Sequence, residues 1–225
     1  MKPPAGLAVE ALTHAAERAA LIAGMEQLAE VLGAAAGRPW PVRLNFRPPG
    51  SEVPAEVAPN VVIASLMPDV DRADETPAET ESRWRTYLVK LQHAGAPVLM
   101  LTVFRRLANR ANAGVPSPLL ERIRQLNRMA LELSHDLGVG VIDIDRAFAH
   151  IGGRALQTDY RLIGVQAAEV AGHTIAWSLL SFGLDRVVDP EIQEQAKTWL
   201  GSLQQINTVL RRRLERRRAA QTARG

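Results

Sequence analysis

The chain contains no cysteine. That excludes disulfides, thiolate metal ligands and a cysteine nucleophile. Aromatic residues make up only 4% of it, so a core has to be built from Leu, Val, Ala and Ile within the 47% hydrophobic total. Long apolar runs are missing too; none approaches the ~18 residues of a transmembrane helix. The Ala-rich N-terminal region is interrupted by Glu10, His14, Glu17 and Arg18, unlike the apolar stretch of a signal peptide. A cytoplasmic protein is expected. The five histidines lack metal-ligand spacing, and there is no Gly-rich phosphate loop. No metal or cofactor is expected.

Negative charge is scarce only at one end. Residues 211–225 hold seven Arg and one Glu, whereas the whole chain has a net charge of +3. The remainder is therefore mildly acidic, at −3, and carries a basic tail.

Four short apolar runs alternate with helix-like stretches: Val42–Phe46, Val61–Met67, Val98–Phe104 and Val139–Ile144. The last three are rich in β-branched residues and apolar on both faces, as strands of a buried parallel sheet are. Between them, residues 8–36 read as a helix, with Leu21, Met25, Leu28 and Leu32 at helical spacing. Pro77, followed by Glu79 and Glu81, opens a second helix that Gly95 closes. Ser117 and Pro118 open a third, ending at Gly138, and a fourth spans roughly 164–182. Pro190 opens a last helix that runs into the tail. The loops include a Pro-rich stretch at 47–59, an acidic one at 68–76, where Asp69 is expected in water, and one following the strand that ends at Ile144. Right-handed strand–helix–strand connections then give a three-layer α/β/α domain with a mostly parallel, flavodoxin-like sheet. The division expected is 1–188 for the α/β domain and 189–225 for an amphipathic C-terminal helix with its Arg-rich tail.

Three sequence segments lie where such a sheet places its chemistry. Asn45-Phe-Arg-Pro-Pro-Gly50 follows one strand, Ser65-Leu-Met-Pro-Asp69 follows the next, and Asp159-Tyr-Arg-Leu162 precedes the helix with Ala171-Gly172-His173. Their order and spacing over residues ~8–183 resemble the SGNH/GDSL hydrolase family. The resemblance implies an oxyanion-hole glycine at Gly50. It also implies an Asn donor at Pro68, beside Asp69, and an Asp-x-x-His acid–base pair at Asp159 and Leu162. Proline has no amide side chain and no N–H to donate, and leucine cannot take a proton. The Gly-Asp-Ser of the nucleophile is absent, its nearest positional match being Thr13-His14 inside the expected first helix. Triad members act as a unit, so losing one forfeits most of their joint effect.

The resemblance therefore implies a hydrolase fold without the hydrolase's machinery, serving as an accessory or interaction subunit. An active esterase or deacetylase with relocated groups is the alternative, with Thr13, His14, His150 and Asp159 as candidates. A flavodoxin-like small-molecule binder is a further one. His173 and Ser65 are expected to be buried and structural. The interaction surface is expected on the last helix, where Ile192, Ala196, Trp199, Leu203, Ile206, Leu210 and Leu214 approach a heptad seam leading into Arg211, Arg212 and Arg213. A protein partner or self-association fits it best, with an anionic surface as a further contact for the arginines. Nucleic acid fits less well, because the basic residues lack interleaved aromatics.

Overall fold

The structure, a computed structural model, describes residues 6–54, 58–72, 74–93, 95–107, 117–151, 156 and 158–201. Its sheet has five parallel strands in the order β2-β1-β3-β4-β5. They are β1 (Leu7–Leu12), β2 (Val42–Arg47), β3 (Val61–Ser65), β4 (Val98–Leu101) and β5 (Gly140–Ile142). The helices are α1 (Arg18–Ala35), α2 (Pro77–Gln92), α3 (Pro118–Leu137), α4 (Ile144–Ile151), α5 (Val165–Ser178) and α6 (Pro190–Leu200). Helices α1, α5 and α6 pack together, as do α2 with α3, which gives the expected three layers with a flavodoxin-type strand order.

The first strand corrects the sequence reading. Residues 8–12 lie within the stretch expected as helix, yet with Leu7 they form the second strand of the sheet, between β2 and β3. The misleading residue is Glu10, which is buried in mid-strand. Asn45 Nδ2 and Arg47 Nε of the adjacent β2 each donate to its carboxylate at 2.7 Å. A carboxylate so partnered can stand inside a sheet. Two further differences concern the other end of the sheet. The last apolar run yields only a three-residue strand, and its final residue, Ile144, opens α4 where a loop is expected. Asp143 caps that helix by accepting the Arg146 N–H.

Local signals hold elsewhere. Thr76 and Glu79 close a capping box at the start of α2, Ser117 caps α3, and Gly138 ends α3 in a left-handed conformation. The Ala171-Gly172-His173 segment acquires a physical reason. Gly172 on α5 meets Gly24 on α1 at a backbone-to-backbone crossing. A Cβ on Gly172 would sit 2.6 Å from the Gly24 nitrogen, and one on Gly24 would sit 2.7 Å from the Gly172 carbonyl oxygen. Only paired glycines permit that approach. Gly172→Ala is expected to cost about 3 kcal/mol, the upper end of overpacking penalties. Urea unfolding should show it as a lower midpoint at unchanged slope.

The C-terminal helix also differs from the one expected to run into the tail. It stops at Leu200, and Gly201 follows with a positive φ of 75°. Ala196 and Gln193 are buried and Ile192 packs against the core, so this part of the seam faces its own domain. Trp199 is half exposed. Leu203, Ile206, Leu210, Leu214 and Arg211–Arg213 lie outside the described residues. No helix among the described residues is long and apolar enough to cross a membrane.

Candidate functional site

In a 2-1-3-4-5 sheet the strand order reverses between β1 and β3, and a crevice opens beyond their carboxyl ends. This chain has a cavity of about 580 Å³ there. Leu12 of β1 and Ser65 of β3 line it, with Gly50 and Pro49 beyond β2, Pro68 and Asp69 beyond β3, and a face of α2 that includes Arg83, Trp84 and Tyr87.

Each wall is fixed by identifiable bonds. Gly50 has a φ of 79°, in the left-handed region, within a turn where Ser51 N–H donates to the Pro48 carbonyl. Tyr87 Oη ties this loop to α2 by donating to the Ser51 carbonyl at 2.8 Å, and burial pushes its phenol up to about 12. The turn Met67–Asp69 is held from its far end. Asp69 is buried, contrary to the solvated loop residue expected. Its carboxylate accepts Trp84 Nε1–H at 2.6 Å and the Arg83 guanidinium, and Arg72 lies beside it at 3.3 Å. Glu75 joins the same group by accepting from Arg72, Arg83 and Thr80. The Arg83 hydrogen bond leads in holding Glu75 down to about 2, against a smaller opposing effect of burial. Arg122, reaching across from α3, donates to the carbonyls of Asp69 and Glu75.

The β1–β3 junction holds a group that sequence reasoning missed. Glu17 is buried at the end of the 3-10 turn Ala15–Glu17. Its Oε1 accepts the Ser65 hydroxyl at 2.7 Å, and its Oε2 accepts the His14 N–H at 2.9 Å. Ser65 Oγ in turn accepts the Met67 N–H at 3.0 Å. Burial raises the Glu17 carboxyl to about 7, with the Ser65 and His14 bonds opposing it. The spacing from His14 to Glu17 is that of a capping box and was legible. The partnership with Ser65, 48 residues away, was not.

Thr13, His14 and Asp159 are not hydrogen-bonded to one another among the described residues. Thr13 follows β1, as a nucleophile position should, but its buried Oγ1 has no partner among the described residues. His14 caps the 3-10 turn, its ring Nδ1 accepting the Ala16 N–H at 3.2 Å. Asp159 is buried and its carboxylate is taken by Arg161 through the backbone N–H, Nε and Nη2. Burial works to raise its pKa, but the Arg161 bonds and charge outweigh it and leave it below the ordinary value. Leu162 is buried with a φ of 57°, a backbone state that costs an ordinary side chain about 1 kcal/mol or more. His150 lies exposed on α4. His173 is buried in α5 and donates from Nε2 to the Gly201 carbonyl at 3.1 Å; burial lowers its pKa to about 4, which suits a packed neutral ring. No group of three His, Asp or Glu residues suited to a metal occurs among the described residues.

No protein-family model matches the sequence, and no curated protein matches it. Solved structures do resemble its backbone. The acetyl xylan esterase AlAXEase is 12% identical, with a TM-score of 0.55 over 75% of this chain and 98% of that one. Axe2, an acetylxylan esterase from Geobacillus stearothermophilus, is 14% identical, with a TM-score of 0.56 over 80% and 96%. A lipase/acylhydrolase from Enterococcus faecalis is 18% identical, with a TM-score of 0.56 over 77% and 95%. At such identities the likeness is one of fold: the chain has the SGNH hydrolase-like α/β/α architecture implied by its motif layout.

Proposed function

We propose that this chain uses an SGNH hydrolase-like fold as a non-catalytic module, binding at the crevice and serving a partner as an accessory subunit. One observation carries the reading. Leucine fills the position of the family's base, and the aspartate beside it is committed to Arg161 rather than to an imidazole. The hydroxyl of Thr13, without a partner among the described residues, and the proline at 68 point the same way. General-base catalysis requires an acceptor within hydrogen-bond reach of the attacking hydroxyl, and an oxyanion donor is typically worth ~10²–10³ in rate. The proposed partner surface is the end of α6 around Trp199, whose indole is half exposed.

The test is turnover of p-nitrophenyl acetate by the full chain. The expected rate equals that of buffer and does not change in Thr13→Ala, His14→Ala, His150→Ala or Asp159→Asn. Turnover above buffer that one substitution abolishes overturns the proposal. A specific observation favours a second reading, an esterase with relocated groups: Ser65 donates to a carboxylate whose pKa lies near neutrality. That reading expects turnover lost in Ser65→Ala.

A further inference from the structure

The Glu17–Ser65 pair does more than join two strands. It sits at the strand-order reversal, and Ser65 itself lines the crevice. Its hydrogen bonds have a definite direction. With Glu17 ionised, the Ser65 hydrogen is spent on Oε1 and a lone pair of Oγ takes the Met67 N–H. Ser65 then has no hydrogen to offer anything in the crevice.

Protonation reverses this. Oε2 already receives the His14 N–H, so the place where an added proton finds a partner is Oε1, facing Ser65 Oγ. The Glu17 O–H then donates to Oγ, which still accepts from Met67. The Ser65 hydrogen is released from Glu17, and an acceptor bound in the crevice that Ser65 lines would take it. The one covalent change is the new Glu17 Oε1–H bond, whose proton comes from solvent; the rest is an exchange of hydrogen bonds.

We infer that the crevice binds small molecules bearing a carbonyl or carboxylate oxygen, and that each binding event is linked to uptake of one proton by Glu17. The inference rests on the reading of the crevice as a binding site. The charged and titratable groups on the surrounding elements are engaged elsewhere. Glu10 of β1 holds Asn45 and Arg47 of β2, the His14 ring holds Ala16 N–H, and Arg18 of α1 lies over the Phe46 ring. Asp69 holds Trp84 and Arg83, and His173 of α5 holds the Gly201 carbonyl. Burial raises the Glu17 carboxyl to about 7, which places its proton uptake near neutral pH.

Acetamide tests the inference, since it is a neutral acceptor whose binding is free of any charge effect from the carboxylate. Its dissociation constant, from ¹H–¹⁵N shift titration of the full chain, should be about five- to tenfold lower at pH 5.5 than at pH 8.5, the worth of one hydrogen bond. Glu17→Gln presents a permanent donor to Ser65 and should bind tightly at both pH values. Ser65→Ala should bind weakly at both, with the spectrum itself reporting that it is folded. In the unmodified protein, the Glu17 ¹³Cδ and Met67 amide shifts should titrate with one midpoint. Equal affinity at the two pH values, a pH dependence that survives Glu17→Gln, or no shift at crevice residues overturns the inference. Ester turnover would overturn the non-catalytic reading instead, and leaves this linkage standing or falling on its own data.

Discussion

Asp69→Ala is expected to lower Tm by roughly 10 °C, the equivalent of about 3–5 kcal/mol for a chain of this size. The loss comes from what is left behind rather than from the carboxylate alone. Trp84 Nε1, which donates to Asp69 at 2.6 Å, would lie buried without an acceptor. Arg83 would keep only Glu75 as a counter-charge. Buried donors stripped of a partner cost their full desolvation, and a broken ion pair costs more than replacing both members. The turn Met67–Asp69 would also lose its anchor to α2, so the crevice should loosen with the fold. Thermal denaturation followed by circular dichroism reads the first effect. Asp69→Asn, which keeps one acceptor for the indole, should fall between the alanine variant and the parent. Equal stability of parent and alanine variant would show that this network contributes nothing.

Glu17→Gln is expected to act in the opposite direction and only above acid pH. A carboxyl raised from 4.5 to about 7 keeps a proton in the folded chain that the unfolded chain has released. Stability therefore falls as pH rises between those values, and the full cost is present above pH 7. That cost is on the order of 3 kcal/mol. Glutamine accepts the His14 N–H through its oxygen and donates to Ser65 through its amide, so the geometry survives without the buried charge. The variant should match the parent near pH 4.5 and exceed it at pH 8, where parallel urea titrations give the difference. A constant gap across that range would mean that Glu17 does not titrate as its burial implies.

The fold was legible wherever residues advertised their own environment. β3 and β4 are apolar on both faces and were read as buried strands; Thr76, Ser117 and Gly138 mark helix ends by chemistry that needs no tertiary partner. β1 was not legible, because its glutamate is hydrogen-bonded by Asn45 and ion-paired with Arg47, 35 and 37 positions away. The same reason hid the Glu17–Ser65 pair and the burial of Asp69: a charge reads as exposed until its partner is placed. α4 could have been found, since Asp143 stands as a cap before Ile144, Ala147, Phe148 and Ile151 at helical spacing. That Pro68 and Leu162 carry no hydrogen-bonding side chain was plain from residue type. What stands at the crevice depended on which loops the topology brought together.

The outermost strand has a bearing on how the molecule behaves in a crowded solution. β2 pairs with β1 along one side and has no strand on its other side among the described residues, an invitation to a strand from a neighbouring molecule. Its sequence, Val-Arg-Leu-Asn-Phe-Arg, sets a polar or cationic side chain at every second place, and Arg18 of α1 lies across the Phe46 ring. Stacking two such strands would bring like charges together and strip water from the guanidiniums. The opposite border is guarded by brevity, since β5 offers three residues to a would-be template. Both margins of the sheet thus resist fibrous growth.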